Sequence, residues 1–219
     1  MESKKLKLFV SKNESELFKI LPELTKSNVA LFSHSFLSFE SIPFEVEGNY
    51  DVIFFGSPRS VDFFLPYISK INSGLIACVG NKTAEKLKEY GLEVNFKPNS
   101  KSISNSVDKF HEWLGSKSVL FPISDKSIRS FSKGLDPSQR EEVVIYKTSI
   151  KSQLVTECDA YVFTSPSNFE GFLIENVVPQ NSKLIAWGES TSEYINHKGY
   201  ECQLLPESSV DSILEYFRQ

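Results

Sequence analysis

Short apolar runs recur along the chain, each closed by a small-residue turn and followed by a polar stretch with apolar residues at three- and four-residue spacing. Runs near 6–10, 29–33, 118–122 and 143–147, with VIFF at 52–55, Leu75–Val79, Tyr161–Thr164 and Leu184–Trp187, are short and apolar throughout, the pattern of strands buried on both faces. Helices are predicted between them. Ser57-Pro58 and Ser165-Pro166 each place an N-cap serine before a proline at the first helical position. Lys82–Tyr90 carries Ala84, Leu87 and Lys88 at helical spacing and ends at Gly91, where a left-handed C′ residue is expected. Further helices are predicted near 14–25, 103–114, 126–133 and 209–218.

The chain also resembles itself. DVIFFGSPRSVDFFL at 51–65 aligns with DAYVFTSPSNFEGFL at 159–173, an offset of 108 residues that persists without a gap. Gly80, Thr83, Glu85 and Gly91 fall on Gly188, Thr191, Glu193 and Gly199, and 11 of the 43 paired positions from 51 to 93 are identical. One long fixed offset means two copies of one structural unit; a solenoid needs three or more shorter repeats.

Strands alternating with helices of about ten residues give parallel sheets covered on both faces, so the fold class is α/β. Two similar flavodoxin-like parallel-sheet domains are expected, one inserted in the other: residues 1–36 plus 150–219 as a discontinuous domain, and 37–149 as the insert. The periodicity breaks in SHSFLSFESIPFEVEGN at 34–50 and KTSIKSQLVTE at 147–157. These are read as the two linkers that an inserted domain requires.

Composition narrows the function classes. At 219 residues and 40% hydrophobic the chain is long enough for two domains of about 100 residues. No apolar run reaches the roughly 18–20 residues of a membrane span, and MESKKLKLFV lacks a secretory apolar region, so the chain is read as cytoplasmic, without a membrane partner. With 24 basic against 28 acidic residues, net charge −4 and no basic block, nucleic-acid binding is not expected. Cys78, Cys158 and Cys202 form no CxxC, and His34, His111 and His197 no HxxH or HExxH. Hence no metal site is expected, and the cysteines are read as small buried hydrophobes. No exposed heptad or long apolar stripe remains once the helices are assigned, so the chain is read as a monomer.

Open α/β sheets place ligands beyond the carboxyl ends of their strands, which here carry Gly56-Ser57, Gly80-Asn81, Thr164-Ser165 and Gly188-Glu189. Each leads into a helix whose N-terminal amides favour anions. Ser57 and Ser165 also serve as plain caps, and the residues alone leave both readings open. No GxGxxG, GxxxxGK[ST] or GxSxG is present, and Asp51 and Asp159 begin their strands, at the wrong end for a phosphoacceptor; no cofactor is expected. Tyr146 closes EEVVIY immediately before the second linker, either as packing or facing a cleft between domains.

Taken together, these features resemble the uroporphyrinogen-III synthase family, over nearly the whole chain. FFGSPRSVDFF is similar to the family's phenylalanine-threonine-serine-proline segment, CVGNKTAEKLKEYGLEV to its glycine-threonine-alanine helix start, VVIYKT to its tyrosine at the interdomain crossing, and AWGESTSEYINHKGYEC to the second glycine-threonine turn. Gly56 stands where threonine is common in the family, and Asn81 and Glu189 where proline is frequent. Glu189 brings a negative charge to a turn expected to meet carboxylates.

The resemblance implies an enzyme of tetrapyrrole biosynthesis, cofactor-independent, that closes linear hydroxymethylbilane into uroporphyrinogen III with loss of water and inversion of the last pyrrole ring. It implies a substrate with eight carboxylates held between the domains, and transient contact with the preceding pathway enzyme. Carried over by position, it implies that Tyr146 is catalytic and that Ser57, Arg59, Thr83, Ser165 and Thr191 bind substrate. A reading from another class stands beside it: a non-catalytic two-domain module that binds a polyanionic small molecule.

Overall fold

The computed structural model describes residues 5–46, 48–70, 73–100 and 102–218. Residues 1–4, which the sequence assigns to the first domain, lie outside the described residues. Two compact units emerge: Met1–Ser38 with Ser149–Gln219, and Phe39–Thr148, the inserted unit.

The first unit begins with β1 (Leu6–Val10), α1 (Leu21–Lys26) and β2 (Val29–Ser33), and the chain leaves it within β3 (Leu37–Ser41). The inserted unit contains β4 (Tyr50–Phe55), α2 (Pro58–Phe64), β5 (Ser73–Cys78), α3 (Asn81–Glu89), α4 (Ile103–Leu114) and β6 (Val119–Ser124). The chain returns within β7 (Arg140–Ile150). The first unit is completed by β8 (Ala160–Phe163), α5 (Pro166–Glu175), β9 (Lys183–Ala186), α6 (Glu189–His197), β10 (Gln203–Leu204) and α7 (Val210–Phe217).

In the first unit the sheet runs β2-β1-β8-β9-β10 with every pair parallel, the flavodoxin order in which the chain reverses direction between β1 and β8. The inserted unit repeats it: β5-β4-β6-β7 is parallel and reverses between β4 and β6. The duplication seen in the sequence is therefore a duplication of βαβα units, and α3 and α6 coincide residue for residue at the 108-residue offset. Gly91 and Gly199 end them at φ +72° and +86°, the left-handed region that a side chain disfavours.

The chain passes between the units inside the segments 34–50 and 147–157, and it does so in strands: β3 joins the edge of the inserted sheet beside β7. Ile42 N donates to Ile145 O and Lys151 N to Phe36 O, so the two strands run antiparallel and this sheet is mixed. The alternation of Phe and polar residues in 34–46 is the signature of such an edge, with one face buried. The predicted helix at 14–25 is instead a 3-10 turn at Glu14–Glu16 followed by α1, because Pro22 has no N–H for a continuous ladder and starts a new helix. The predicted helix at 126–133 is a run of turns in which Arg129 adopts φ +59°, incompatible with a right-handed helix.

Each sheet is sandwiched. In the inserted unit Ile53, Phe55 and Leu120 pack with Val61 and Phe64 of α2 and Leu87 of α3, while Val52, Phe54, Val119 and Phe121 pack with Phe110 and Leu114 of α4. In the first unit Leu8, Val10 and Val162 meet α1 and α7, and Phe9, Tyr161 and Phe163 meet α5 and α6. Asp51 and Asp159 act at the amino ends. Asp51 Oδ2 accepts from Ser118 N at 2.8 Å, and Asp159 Oδ2 from Lys7 N at 2.8 Å, so each copy uses its aspartate to pin a neighbouring strand start. The Ser118 backbone and hydroxyl donors hold the Asp51 carboxyl below its usual range.

Candidate functional site

The carboxyl ends of β4 and β6, where the inserted sheet reverses, open onto a cavity of about 360 Å³. This is where open α/β sheets hold ligands, and the volume lies within the range of small-molecule sites. Gly56 and Ser57 come from the end of β4, Ser124 from the end of β6 and Tyr146 from β7.

Ser57 reaches the cavity because it is the N-cap of α2. Its extended backbone turns the chain out of the strand, its Oγ accepts from Ser60 N at 3.1 Å, and Ser60 Oγ accepts in return from Ser57 N at 3.2 Å. Pro58 then starts the helix without wasting a donor.

Tyr146 is brought there by an irregularity in β7. Ile123 pairs with Val144 but Ser124 with Tyr146, so Ile145 is an extra residue and the register shifts. In a regular strand neighbours point to opposite faces; the bulge lets Ile145 and Tyr146 both pack on the face of α2. The Tyr146 ring stacks on Phe63, with centroids 4.9 Å apart and planes 12° apart, and meets Phe39 edge-on. Only 6% of the residue is exposed, and its OH lies 3.4 Å from Ser57 Oγ. The outcome is a restrained phenol whose polar tip sits at the cavity beside a serine hydroxyl.

Arg59, exposed in the first turn of α2, lays its guanidinium 3.3 Å from the ring centre of Phe39, the same ring that contacts Tyr146. Thr83 is buried in the first turn of α3 and is not part of the cavity lining. Cys78, at the end of β5, is fully buried, and that burial raises its thiol pKa.

Ser165 and Thr191 belong to the first unit. Ser165 caps α5, its Oγ accepting from Asn168 N at 3.2 Å, and Thr191 is buried in the first turn of α6. A polar network lies at that sheet's reversal point: Thr164 N donates to Ser11 Oγ at 2.8 Å, Thr164 Oγ1 to Ser11 O at 2.8 Å, and Asn168 Oδ1 accepts from Phe36 N at 2.9 Å. Glu189 is exposed at the first residue of α6, where its charge complements the helix dipole.

The structure thus gathers Ser57 and Tyr146 at one cavity, sets Arg59 beside their aromatic wall, and leaves Thr83 under a neighbouring turn. It adds what the sequence reading missed: Lys126, Ser127, Arg129 and Ser130, which line the cavity from the segment between β6 and β7. The available signal was SDKSIRS, small and cationic residues immediately after a buried strand. Ile128 and Phe131 at helical spacing masked it, although Ile128 is 79% exposed. Among the described residues no group of His, Cys, Asp and Glu is arranged to hold a metal, and no helix is long and apolar enough to cross a membrane.

The family model of uroporphyrinogen-III synthase HemD matches residues 29–215. No curated protein sequence matches the chain significantly. Among solved structures, the chain is similar to uroporphyrinogen-III synthetase from Helicobacter pylori, with 18% identity, 97% of each chain covered and a TM-score of 0.72. It is also similar to a mutant uroporphyrinogen III synthase from Thermus thermophilus, with 12% identity, 97% of each chain covered and a TM-score of 0.60. At such identities the structures speak for the fold, and the family model covers most of the length. The chain belongs to the uroporphyrinogen-III synthase HemD family.

Proposed function

We propose that this protein converts linear hydroxymethylbilane to uroporphyrinogen III, with loss of water and inversion of the last pyrrole ring, and that it needs no cofactor to do so. The observation that carries the reading is the Ser57–Tyr146 hydroxyl pair at the cavity where the inserted sheet reverses, in a chain of this family.

Closure requires the terminal hydroxyl of the bilane to leave as water. The resulting azafulvene is attacked by the substituted carbon of the distal ring, giving a spiro intermediate that rearranges. In this reading Tyr146 OH donates a hydrogen bond or proton to the leaving hydroxyl, and Ser57 Oγ orients that phenol. A phenol is a weak acid, so most of the acceleration comes from holding the chain with its two ends in reach of each other. Stacking on Phe63 restrains the phenol in advance and limits the entropy lost on binding. Arg59, Thr83, Ser165 and Thr191 are assigned to binding, the two buried threonines acting through the helix-start amides they hold in place. We assign the protein to the cytoplasm as a monomer that takes the bilane from the preceding enzyme by transient contact.

The test mixes freshly generated hydroxymethylbilane with the protein, oxidises the product and separates the type I and type III porphyrin isomers. Type III above the protein-free control is expected. Type I alone, at the uncatalysed rate, overturns the reading and leaves a module that at most binds the polyanion.

A further inference from the structure

The inserted unit's cavity has a charge opposite to that of the whole chain. The chain carries net charge −4, yet the residues lining this cavity include the cations Lys126 and Arg129 and no carboxylate. Both come from the turns between β6 and β7, where the left-handed backbone of Arg129 replaces a helix that would have turned the segment differently.

Arg129 is held from behind. Its Nε lies 3.3 Å from Glu142 Oε2, and Glu142 Oε1 accepts from Ser132 Oγ and faces Arg140 Nη1 at 3.6 Å. Arg140 Nη1 in turn donates to Ser132 O, so one carboxylate ties both ends of the 129–132 turn to β7. The Glu142 side chain is 18% exposed, so this tie is sheltered, whereas the Arg129 side chain is 45% exposed. Among the described residues no acceptor is bonded to the Nη atoms of Arg129, and Lys126 is in no ion pair. Glu142 is outnumbered by the two guanidinium groups it contacts, so the cluster remains cationic before Lys126 is added. A guanidinium fixed through Nε presents its two Nη groups as a planar fork, the geometry that receives a carboxylate bidentately.

We propose that Lys126 and Arg129 form a carboxylate subsite in this cavity, which takes an acidic side chain of the substrate next to Tyr146, and that Glu142 is the positioning residue that fixes Arg129. The inference rests on the proposed reaction for the identity of the substrate, and on the cavity alone for the chemistry of the ligand. The subsite anchors one ring of a polycarboxylate in the cavity that Ser57 and Tyr146 also line, and so orients a molecule whose rings differ little in shape.

The experiment uses the full chain and uroporphyrin III, a stable octacarboxylate, as the binding probe, followed by fluorescence titration at several salt concentrations. Arg129→Gln and Lys126→Gln are each expected to weaken binding about 10-fold and to flatten its salt dependence. Glu142→Gln is expected to weaken it less, with the loss confined to the background that retains Arg129. Both cations are exposed, so thermal midpoints should stay near that of the unchanged protein. In turnover the larger part of each loss should fall on KM, and Arg129→Lys should restore only part of it. Unchanged uroporphyrin affinity in both Gln variants overturns the subsite, as does a loss that only tracks a fall in thermal midpoint. If the unchanged protein makes no type III isomer while uroporphyrin binding still depends on Lys126 and Arg129, the reaction falls and the subsite stands. If turnover is present and KM ignores both residues, the subsite falls and the reaction stands.

Discussion

Ser57 Oγ and Tyr146 OH lie 3.4 Å apart although 89 residues separate them in the chain. One hydroxyl caps a helix; the other stands on a strand whose bulge turns it toward that helix. Neither could be elsewhere without losing its own local partner, so the pair is preorganised by interactions unrelated to the ligand.

Tyr146→Phe keeps the ring that stacks on Phe63 and removes only the oxygen. Turnover is expected to fall about 10- to 1,000-fold, within the range of a positioned proton donor, with the thermal midpoint nearly unchanged. Steady-state kinetics with a parallel melt checks this. An unaltered kcat would reduce the phenol to packing.

Ser57→Ala and Ser165→Ala each remove an N-cap acceptor and should destabilise the protein by about 1 kcal/mol. Each serine hydroxyl has a second partner, Tyr146 OH at 3.4 Å for Ser57 and Asn168 Nδ2 at 3.1 Å for Ser165; the shorter bond, to an Asn168 only 4% exposed, should make the Ser165 change the larger. Asn168 Nδ2 keeps one partner, Thr164 Oγ1 at 3.3 Å. Urea unfolding of the two variants side by side gives the order, and equal losses would contradict it.

Gly171→Ala sets two effects against each other in the middle of α5. Alanine favours a helix over glycine by about 1 kcal/mol. A Cβ at 171, however, would lie 2.5 Å from Phe36 Cβ and 2.9 Å from Ile150 Cγ2, and a Cβ cannot swing aside as a side-chain tip can. Overpacking of this kind costs about 1–3 kcal/mol, so the variant should be less stable, with the amides of α5 exchanging faster. A raised melting temperature would show that the helix slides to make room.

Tyr50 donates from its OH to Glu141 Oε2, and its pKa is pushed up to about 12, first by burial and then by that carboxylate. A folded-state pKa raised above the unfolded value, about 10, gives stability that is complete below pH 10 and lost as pH climbs through 12. Denaturant midpoints should therefore fall between those pH values, and Tyr50→Phe should reduce the slope. A Tyr50→Phe protein that loses stability over that window as steeply as the parent would assign the transition to other groups.

Much of the architecture was legible because it is local or repeated. Buried strands read as apolar runs, caps as Ser-Pro, helix ends as Gly91 and Gly199, and the duplication as a constant offset of 108 residues that α3 and α6 then obey residue for residue. The local pattern fell short where two distant segments decide one another's conformation. Residues 37–41 and 147–150, inside the segments where the chain crosses between the units, are strands because each is the other's antiparallel partner. Residues 126–133 have helical spacing, but Ser132 and Arg129 bond to Glu142 on β7, and those contacts outweigh propensity.

Hydrophobic periodicity, capping chemistry and the internal repeat suffice for the α/β class, the duplication and the positions of Ser57, Tyr146, Thr83 and Thr191 along the chain, because each depends on residues within one helical turn or on comparison of the chain with itself. Folding alone decided that Tyr146 faces Ser57 and not the opposite side of the sheet, since a single extra residue in β7 reverses every side chain beyond it. It also decided that Lys126 and Arg129 meet at the same cavity. No spacing rule along the chain encodes a bulge register or a turn held from another strand; both are set by which pairing satisfies the backbone hydrogen bonds and fills the core at once.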